Sequence, residues 1–326
     1  MPAWAFTGWL NLLVLTSRLN SRNWRCSRCL ALGLGAVTAL TSAAVLMSAP
    51  AQAEEQPFGA TQTTAVTPTA APPSLSLRGG ELIDATTGTV LWSNDPTVER
   101  PMGSITKVMT ALLVLEAGDL GREIKVTKAA IRYVHKDGAS SAGLIAGDYL
   151  TAQQLLEAML LPSGCDAAYL LATAYGPGRS AFVAKMNAMA QSLGMTSTHF
   201  SWFDGMPYPT ETSTYSSPAD LIRLGERAMR YSSFRSIVAQ KKYHLSATNS
   251  HHSYLWRTTD MLIGSYQGAI GIKTGDTKAA GNCLLFEARR DGVTLIGVVL
   301  HANPTSNGAS AFPAAKKLLN WGFRQI

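Results

Sequence analysis

Ser104 and Lys107 stand three residues apart at the front of the apolar run MGSITKVMTALLVLE. In a helix, residues three apart lie on one face, so this hydroxyl and this amine would be neighbours. The residues after Lys107 are apolar nearly all round, which predicts a helix inside a core and a buried lysine. Burial lowers the pKa of an amine, and an uncharged amine can take the proton of a serine hydroxyl. The spacing predicts a serine nucleophile with a lysine base, whereas the simpler interpretation is an N-cap serine and a surface lysine.

Two further short motifs carry groups that suit this chemistry. SGC, which contains Ser163 and Cys165, lies in a break between two helical patterns and supplies a second hydroxyl. KTG, which contains Lys273 and Thr274, lies on a predicted strand and supplies a cation and a hydroxyl that can face an anion. In this chain order, the three motifs form the signature of serine enzymes that react with penicillin.

The chain from about residue 79 to residue 323 resembles the low-molecular-weight D-alanyl-D-alanine peptidases, the penicillin-binding proteins of peptidase family S11. The likeness extends beyond the three motifs to longer blocks, among them LIDATTGTVLWSNDPTVERPMGSITKVMTALLVLE, PSGCDAAYLLA, LGMTSTHFSWFDGM and GIKTGDTKAAGNCLLFEARRDGVTLIGVVL. The resemblance implies an α+β fold of the DD-peptidase and β-lactamase type. Such a fold has a five-stranded antiparallel sheet flanked by helices and a mostly helical subdomain.

The resemblance also implies catalytic roles for three side chains. Ser104 would attack the carbonyl of a D-Ala-D-Ala terminus on a peptidoglycan stem peptide and form an acyl-enzyme. Lys107 would accept and return the serine proton, and Ser163 would relay a proton toward the leaving amine. The expected activity is that of a serine carboxypeptidase or transpeptidase, and β-lactams, which mimic the substrate, would acylate Ser104 stably.

Four residues of the late strand are expected to bind the substrate. Lys273 and Thr274 would hold the terminal carboxylate of the peptide. Gly275 would let the peptide lie close along the strand edge, because glycine has no side chain. The main-chain N–H of Asp276, together with that of Ser104, would form the oxyanion hole. The carboxyl side chain of Asp276 in such a place has no explanation from the sequence.

Cys165 departs from the family pattern, in which most members carry asparagine at this position. A thiol is a weak donor and a weaker acceptor, whereas an amide does both well. Some actinobacterial members of the family, which favour transpeptidation over hydrolysis, also carry Ser-Gly-Cys. Three interpretations stay open for Cys165: it lines the substrate site, it simply packs as free cysteines usually do, or it forms a disulfide with Cys283.

Two other functions compete with the peptidase hypothesis. A class A-like β-lactamase would need a glutamate on a loop to activate the deacylating water, and the acids between residues 165 and 217 lack the expected context. A catalytically silent wall-binding module would have lost one of the catalytic residues, but Ser104, Lys107 and Lys273 are all present.

The element pattern fits one domain. ELIDATTGTVLWS predicts a hairpin, and the middle of the chain predicts helices, which include one that starts at Ser217-Pro218 and one that ends at Gly194. GAIGIKTGD, NCLLFEARRDG and VTLIGVVLHA predict three strands, the last two joined by a turn at residues 290–292, and SAFPAAKKLLNWGF predicts a final helix. Two early and three late strands indicate one antiparallel sheet with helices on its faces.

The N-terminal residues indicate export. Residues 1–53 contain four arginines, no acid, a long apolar stretch and a terminal AQA, which together predict a cleaved signal peptide, or a retained membrane helix as the alternative. Residues 54–78 are rich in Ala, Thr and Pro and predict a flexible linker, followed by the catalytic domain at 79–326. The working domain is therefore expected outside the cytoplasm, with the membrane involved only through an uncleaved signal segment.

Other function classes find little support. The formal net charge of +7 comes mostly from those N-terminal arginines, which argues against nucleic-acid binding. No glycine-rich phosphate loop follows a strand, so no nucleotide is expected. The adjacent His251 and His252 lack a metal-ligand spacing and are expected on a solvated loop, so neither metal nor cofactor is predicted. FDGM is expected to be a turn with a structural Asp204, and Arg289 and Arg290 are expected at a turn.

Overall fold

The computed structural model describes residues 70–302 and 310–326 of the 326-residue chain. The predicted signal peptide and most of the predicted linker lie outside the described residues. Residues 70–78 carry neither helix nor strand, yet Leu75 and Leu77 pack against the core, and the Ala70 carbonyl accepts a hydrogen bond from Trp321 at 2.9 Å. The domain boundaries stay a prediction.

The described part of the chain contains nine strands and eight helices. The strands are β1 Gly79–Asp84, β2 Thr89–Asn94, β3 Glu123–Lys125, β4 Tyr149–Thr151, β5 Lys242–Leu245, β6 Tyr254–Arg257, β7 Ala269–Thr277, β8 Gly281–Arg290 and β9 Val293–Ala302. The helices are α1 Lys107–Ala117, α2 Lys128–Asp137, α3 Ala152–Leu160, α4 Cys165–Tyr175, α5 Arg179–Ser192, α6 Pro218–Met229, α7 Ser232–Val238 and α8 Ala311–Gly322. A 3-10 turn, Gly103–Thr106, leads directly into α1.

The five-stranded sheet confirms the predicted fold. Its order is β2-β1-β9-β8-β7, and every neighbouring pair is antiparallel. The two early strands thus join the three late ones, and β7, which carries the KTG motif, forms one edge. An edge strand presents unpaired main-chain groups, so β7 can pair with a further extended chain.

Both faces of this sheet are covered, which explains why its central strands are apolar without alternation. In β8, Leu285 belongs to the core cluster that contains α1, whereas Leu284 and Phe286 belong to the cluster that contains α8. Successive side chains of a strand point to opposite faces, so a strand between two helical layers buries all of them. The first cluster continues into the helical half of the molecule, which contains α1 to α5.

A local signal sets the start of α6 as predicted. The Ser217 hydroxyl accepts the N–H of Asp220 and Pro218 occupies the first turn of α6, so this helix begins at the expected residues. In α1, Val108, Met109, Leu112 and other side chains have no solvent exposure, which confirms that this apolar helix lies inside the core. No helix in the described part of the chain has the length and apolar character needed to cross a membrane.

Two expectations about charged residues were wrong in detail. Arg289 and Arg290 both lie in β8, and the turn consists of Asp291 and Gly292, which have positive φ as a two-residue hairpin turn requires.

His251 is only 8% exposed, although it lies on a loop as expected, and only its neighbour His252 faces solvent. His252 is held by the Asp148 carboxylate, 2.9 Å from its Nδ1. Pairing with a carboxylate buried beneath the loop is a tertiary contact that local sequence does not show.

Candidate active site

Ser104 lies in the 3-10 turn just before α1, at the bottom of a cleft between the sheet edge and the helical half. The turn packs against main chain on two sides. A Cβ added to Gly275 of β7 would lie 2.2 Å from the Met102 carbonyl oxygen, and one added to Gly205 would lie 2.0 Å from the Gly103 carbonyl oxygen. No side chain fits at either glycine, so β7 and the segment around Gly205 hold the nucleophile turn in place by direct main-chain contact.

Gly103 brings two candidate oxyanion donors together. Its φ is +54°, and a Cβ at this position would lie 2.8 Å from the main-chain nitrogen of Asp276. The main chain just before Ser104 therefore runs against the main chain of Asp276 on the sheet edge. N–H groups in the first turn of a helix lack partners within that helix, so the Ser104 N–H is available for a ligand.

Lys107 is fully buried, and its amine donates hydrogen bonds to two oxygens. Nζ lies 2.8 Å from Ser104 Oγ and 2.9 Å from the main-chain carbonyl oxygen of Asp204. Both partners are neutral oxygens, and the first is the oxygen that the sequence predicts as nucleophile. The predicted neighbourhood of hydroxyl and amine is therefore present.

Asp204 supports this arrangement through its own side chain. Its carboxylate is fully buried and accepts the Tyr133 hydroxyl at 2.8 Å and the Met206 N–H at 3.0 Å. Burial and the Asp204 charge both raise the pKa of Tyr133, so Tyr133 stays a neutral donor. The FDGM segment bends at Phe203 and Asp204 rather than forming a regular turn, and this bend places the Asp204 carbonyl against Lys107.

Ser163 faces Ser104 from the loop between α3 and α4. Its hydroxyl accepts a hydrogen bond from Lys273 Nζ at 3.0 Å, and its backbone has φ of +64°, which is uncommon for a residue with a side chain. The Ser140 hydroxyl donates to the Ser163 carbonyl. A strained residue persists only where its surroundings fix it, and Ser140 is one of the groups that do so here.

Lys273 is 1% exposed and lies on β7 between the two halves of the molecule. Besides Ser163, its Nζ contacts the Thr274 carbonyl at 3.1 Å and Thr274 Oγ1 at 3.3 Å. Burial, together with the nearby Lys107, lowers the pKa of Lys273 to about 7, although Cys165 and Asp260 act in the opposite direction. A group with such a pKa changes charge near neutral pH and binds an anion best below it.

Cys165 begins α4 and is 1% exposed. Its Sγ lies 3.4 Å from Ser140 Oγ, and burial raises the pKa of the thiol to about 11, which keeps it neutral. Cys283 is also a free, buried thiol, so the two cysteines form no disulfide in this structure. Cys165 is not among the residues that line the cleft, whereas Cys283 is.

The cleft has a volume of about 470 Å³. Its polar lining comes from both halves, and its apolar lining includes two methionines and a phenylalanine; the residues concerned include Ser104, Ser140, Ser163, Thr259, Thr274, Gly275, Asp276, Asn282, Met206, Met261 and Phe312. Asp276 is exposed to this space. Among the described residues, no three His, Cys, Asp or Glu side chains lie close enough together to hold a metal ion.

The structure brings together the predicted residues Ser104, Lys107, Ser163, Lys273 and Thr274. It places Gly275 against the nucleophile turn, which gives this glycine a steric reason that the sequence did not suggest. Several cleft residues were missed, among them Ser140 and Thr259. Ser140 lies in a run of small residues after α2, and Thr259 lies in a loop where its Oγ1 is 2.7 Å from Thr274 Oγ1. Neither stands in a motif, so no local signal marks them.

Comparison with known proteins gives consistent matches over most of the chain. The family model for D-alanyl-D-alanine carboxypeptidase, peptidase S11, matches residues 66–304. A D-alanyl-D-alanine carboxypeptidase of Streptomyces sp. strain K15 is 39% identical over 304 residues, which cover 88% of this chain and 97% of the relative. The carboxypeptidase DacB2 of Mycobacterium tuberculosis is 34% identical over 240 residues, covering 74% of this chain and 80% of the relative.

Solved structures agree. The crystal structure of the Streptomyces K15 DD-transpeptidase superposes with a TM-score of 0.74 at 39% identity, and the match covers 78% of this chain and all of that one. A penicillin-binding protein homologue from Mycobacterium tuberculosis gives a TM-score of 0.71 at 32% identity, covering 78% of this chain and 94% of that one.

Proposed function

This chain belongs to the peptidase S11 family of D-alanyl-D-alanine carboxypeptidases, and we propose that it cleaves D-Ala-D-Ala termini of peptidoglycan stem peptides through an acyl-enzyme on Ser104. The observation that carries this proposal is the 2.8 Å contact between Lys107 Nζ and Ser104 Oγ, opposite the Ser163–Lys273 pair. A serine hydroxyl is a poor nucleophile until a neighbouring base takes its proton.

Acylation follows from the positions of these groups. Ser104 Oγ attacks the carbonyl carbon of the penultimate D-alanine while Lys107 takes the hydroxyl proton. The negative charge that develops on the carbonyl oxygen is stabilised by the N–H groups of Ser104 and Asp276. As the peptide bond breaks, a proton passes through the Ser163 hydroxyl to the leaving nitrogen, and D-alanine departs.

The substrate's terminal carboxylate would be held on the sheet side of the cleft. Lys273 supplies a cation, and Thr274 Oγ1 supplies a hydroxyl that already lies within reach of both Lys273 and Thr259. Charge-assisted hydrogen bonds to a carboxylate are the stronger kind, so this pair can fix the end of the peptide. The rest of the peptide would pair along the free edge of β7.

Deacylation decides the product. Attack by water on the acyl-enzyme would release a shortened peptide, whereas attack by an amine would form a cross-link. Of the described residues that line the cleft, only Asp276 carries a carboxylate. A β-lactamase needs a glutamate that activates water for rapid deacylation. The lining therefore favours a stable acyl-enzyme with β-lactams over their turnover.

We also propose that the catalytic domain acts outside the cytoplasmic membrane. Peptidoglycan lies outside the cytoplasmic membrane, and the signal-like residues 1–53 would direct the catalytic domain there. The small residues of the terminal AQA are typical of a signal-peptide cleavage site.

Incubation with a fluorescent penicillin tests the proposed acyl-enzyme. Wild-type protein should retain the label, and mass spectrometry should place it on the peptide that contains Ser104. Ser104→Ala should abolish labelling while the circular dichroism spectrum stays unchanged. Ser192→Ala, which removes an exposed hydroxyl at the end of α5, serves as the matched control and should label normally. Labelling of Ser104→Ala at the wild-type level would overturn the proposal.

A further inference from the structure

A buried acid on the sheet side of the cleft has no part in the chemistry described so far. Asp260 is 4% exposed and lies in the loop between β6 and β7. One carboxylate oxygen, Oδ1, accepts the Leu262 N–H at 2.8 Å, and the other, Oδ2, is buried without a hydrogen-bond partner. A buried, half-satisfied carboxylate costs free energy, so its retention calls for a reason.

The loop that carries Asp260 is fixed against the site on both sides. The preceding residue, Thr259, donates its N–H to the Leu161 carbonyl at 3.0 Å and contacts Thr274 Oγ1 through its hydroxyl. Asp260 itself donates its N–H to Thr258 Oγ1 at 3.1 Å. The loop thus spans from the end of α3 to the KTG strand, and Asp260 is buried beside that strand.

The charges around Lys273 show what the acid does. Three titratable groups act on this amine: Lys107 from α1, Cys165 from α4 and Asp260 from the loop. Lys107 and burial disfavour the charged form of Lys273. Cys165, whose pKa is raised, is neutral near pH 7. Asp260 therefore supplies the negative charge that favours the ammonium form.

We propose that Asp260 is a positioning residue that keeps Lys273 charged so that it can bind the terminal carboxylate of the substrate. This inference rests on the proposed function, because it assigns Lys273 the role of carboxylate anchor. Asp260 does not touch the substrate and acts only through the charge of Lys273.

The pH dependence of this effect has a definite sign. Burial raises the pKa of Asp260 to about 6 against the lowering effects of the Leu262 N–H and of Lys273. As the pH falls through 6 Asp260 becomes protonated, so at pH 5 its removal has little effect on Lys273. Above pH 6 it is an anion, and its removal lowers the pKa of Lys273, which then loses its charge at a lower pH.

The test compares kcat/KM from pH 5 to pH 9 for two peptides that differ only in ending with a carboxylate or a carboxamide. Asp260→Asn removes the charge but keeps an oxygen for the Leu262 N–H, and Asp260→Ser keeps a shorter acceptor in case the first variant does not fold. For the carboxylate peptide, the basic limb should move down by about one pH unit, and the loss should approach tenfold at high pH. At pH 5 the variants and wild type should coincide.

Two comparisons separate this electrostatic role from a structural one. The carboxamide peptide should show no shift of the basic limb in either variant. Thr258→Ala perturbs the same loop but leaves the carboxylate, so its basic limb should stay at the wild-type pH. A neutral variant whose profile superposes on that of an active wild type would overturn the role of Asp260. A wild type that neither binds penicillin covalently nor cleaves the peptide would instead overturn the proposed function.

Discussion

Each side of the cleft buries one lysine, and the two lysines have different neighbours. On the helical side, Lys107 donates to the Ser104 hydroxyl and a main-chain carbonyl, both neutral, and the buried Asp204 carboxylate accepts from Tyr133 and Met206 instead. On the sheet side, Lys273 donates to neutral oxygens too, but Asp260 adds a negative charge to its surroundings. The same residue type is therefore placed in two different electrostatic settings.

The difference follows the work proposed for each amine. A lysine that accepts a proton from a serine works best when its neighbours do not hold it in the charged form. A lysine that anchors a carboxylate must carry charge, and a nearby acid favours this. Burial alone does not determine the role of a lysine. The charged groups around a buried amine also determine whether it is protonated or neutral.

The largest effect is expected from Lys107→Met, which keeps an apolar stem of similar length but removes the base. The rate constant for acylation by penicillin should fall by about 10²- to 10⁴-fold, as expected when a general base is lost. Stopped-flow labelling with a fluorescent penicillin measures this rate. Lys185→Met removes an exposed amine of α5 and should leave the rate unchanged. An unchanged acylation rate in Lys107→Met would contradict the role of Lys107 as general base.

An intermediate effect is expected from Lys273→Met, and it should depend on the substrate. For a peptide that ends in a carboxylate, KM should rise by about 10- to 100-fold, because a charge-assisted contact is lost. A peptide that ends in a carboxamide should show a much smaller change. Steady-state kinetics with both peptides measures the difference, and Lys242→Met, at an exposed lysine of β5, is the control. Equal losses for both peptides would contradict the anchoring role.

The smallest effect is expected at Cys165, a buried and neutral thiol at the start of α4 whose Sγ lies 3.4 Å from Ser140 Oγ. Cys165→Asn replaces a weak hydrogen-bonding group by an amide that donates and accepts. The ratio of hydrolysis to transfer should rise, by a few-fold, when a D-Ala-D-Ala donor is offered with an added amine. Product analysis by chromatography gives the ratio. Cys165→Ala removes the thiol without adding an amide and should keep the wild-type ratio, and the same ratio in Cys165→Asn would return this cysteine to a packing role.

The sequence identified the candidate catalytic side chains that meet in the cleft more readily than the residues that support them. Ser104, Lys107, Ser163 and Lys273 lie in short motifs whose spacing on a helix, a loop and a strand could be interpreted directly. Asp204 supports Lys107 through a main-chain carbonyl, and any residue type can supply such a group. The contact between the Asp204 carbonyl and Lys107 is therefore not visible in the sequence.

The fold shows the same division between local and distant effects. The sheet and the helices with strong apolar patterns or clear caps, such as α1 and α6, were predicted because local signals set them. The short strands β3 to β6 and the helices α2 and α7 were not, because few residues carry their pattern and partners distant in the chain stabilise them. Arg289 and Arg290 were expected at a turn, whereas pairing with β9 extends the strand through both.

The sequence by itself determined the reactive groups, the order of the elements and the sheet they build, because these depend on residue types and local periodicity. Only the tertiary structure decided which neighbours each group received. Residues distant in the chain, such as Ser140 beside Ser163 and Ser163 beside Lys273, meet only after the elements that carry them pack together. Charge, hydrogen bonding and burial act over a few ångströms in space, and the separation of residues along the chain does not fix those distances.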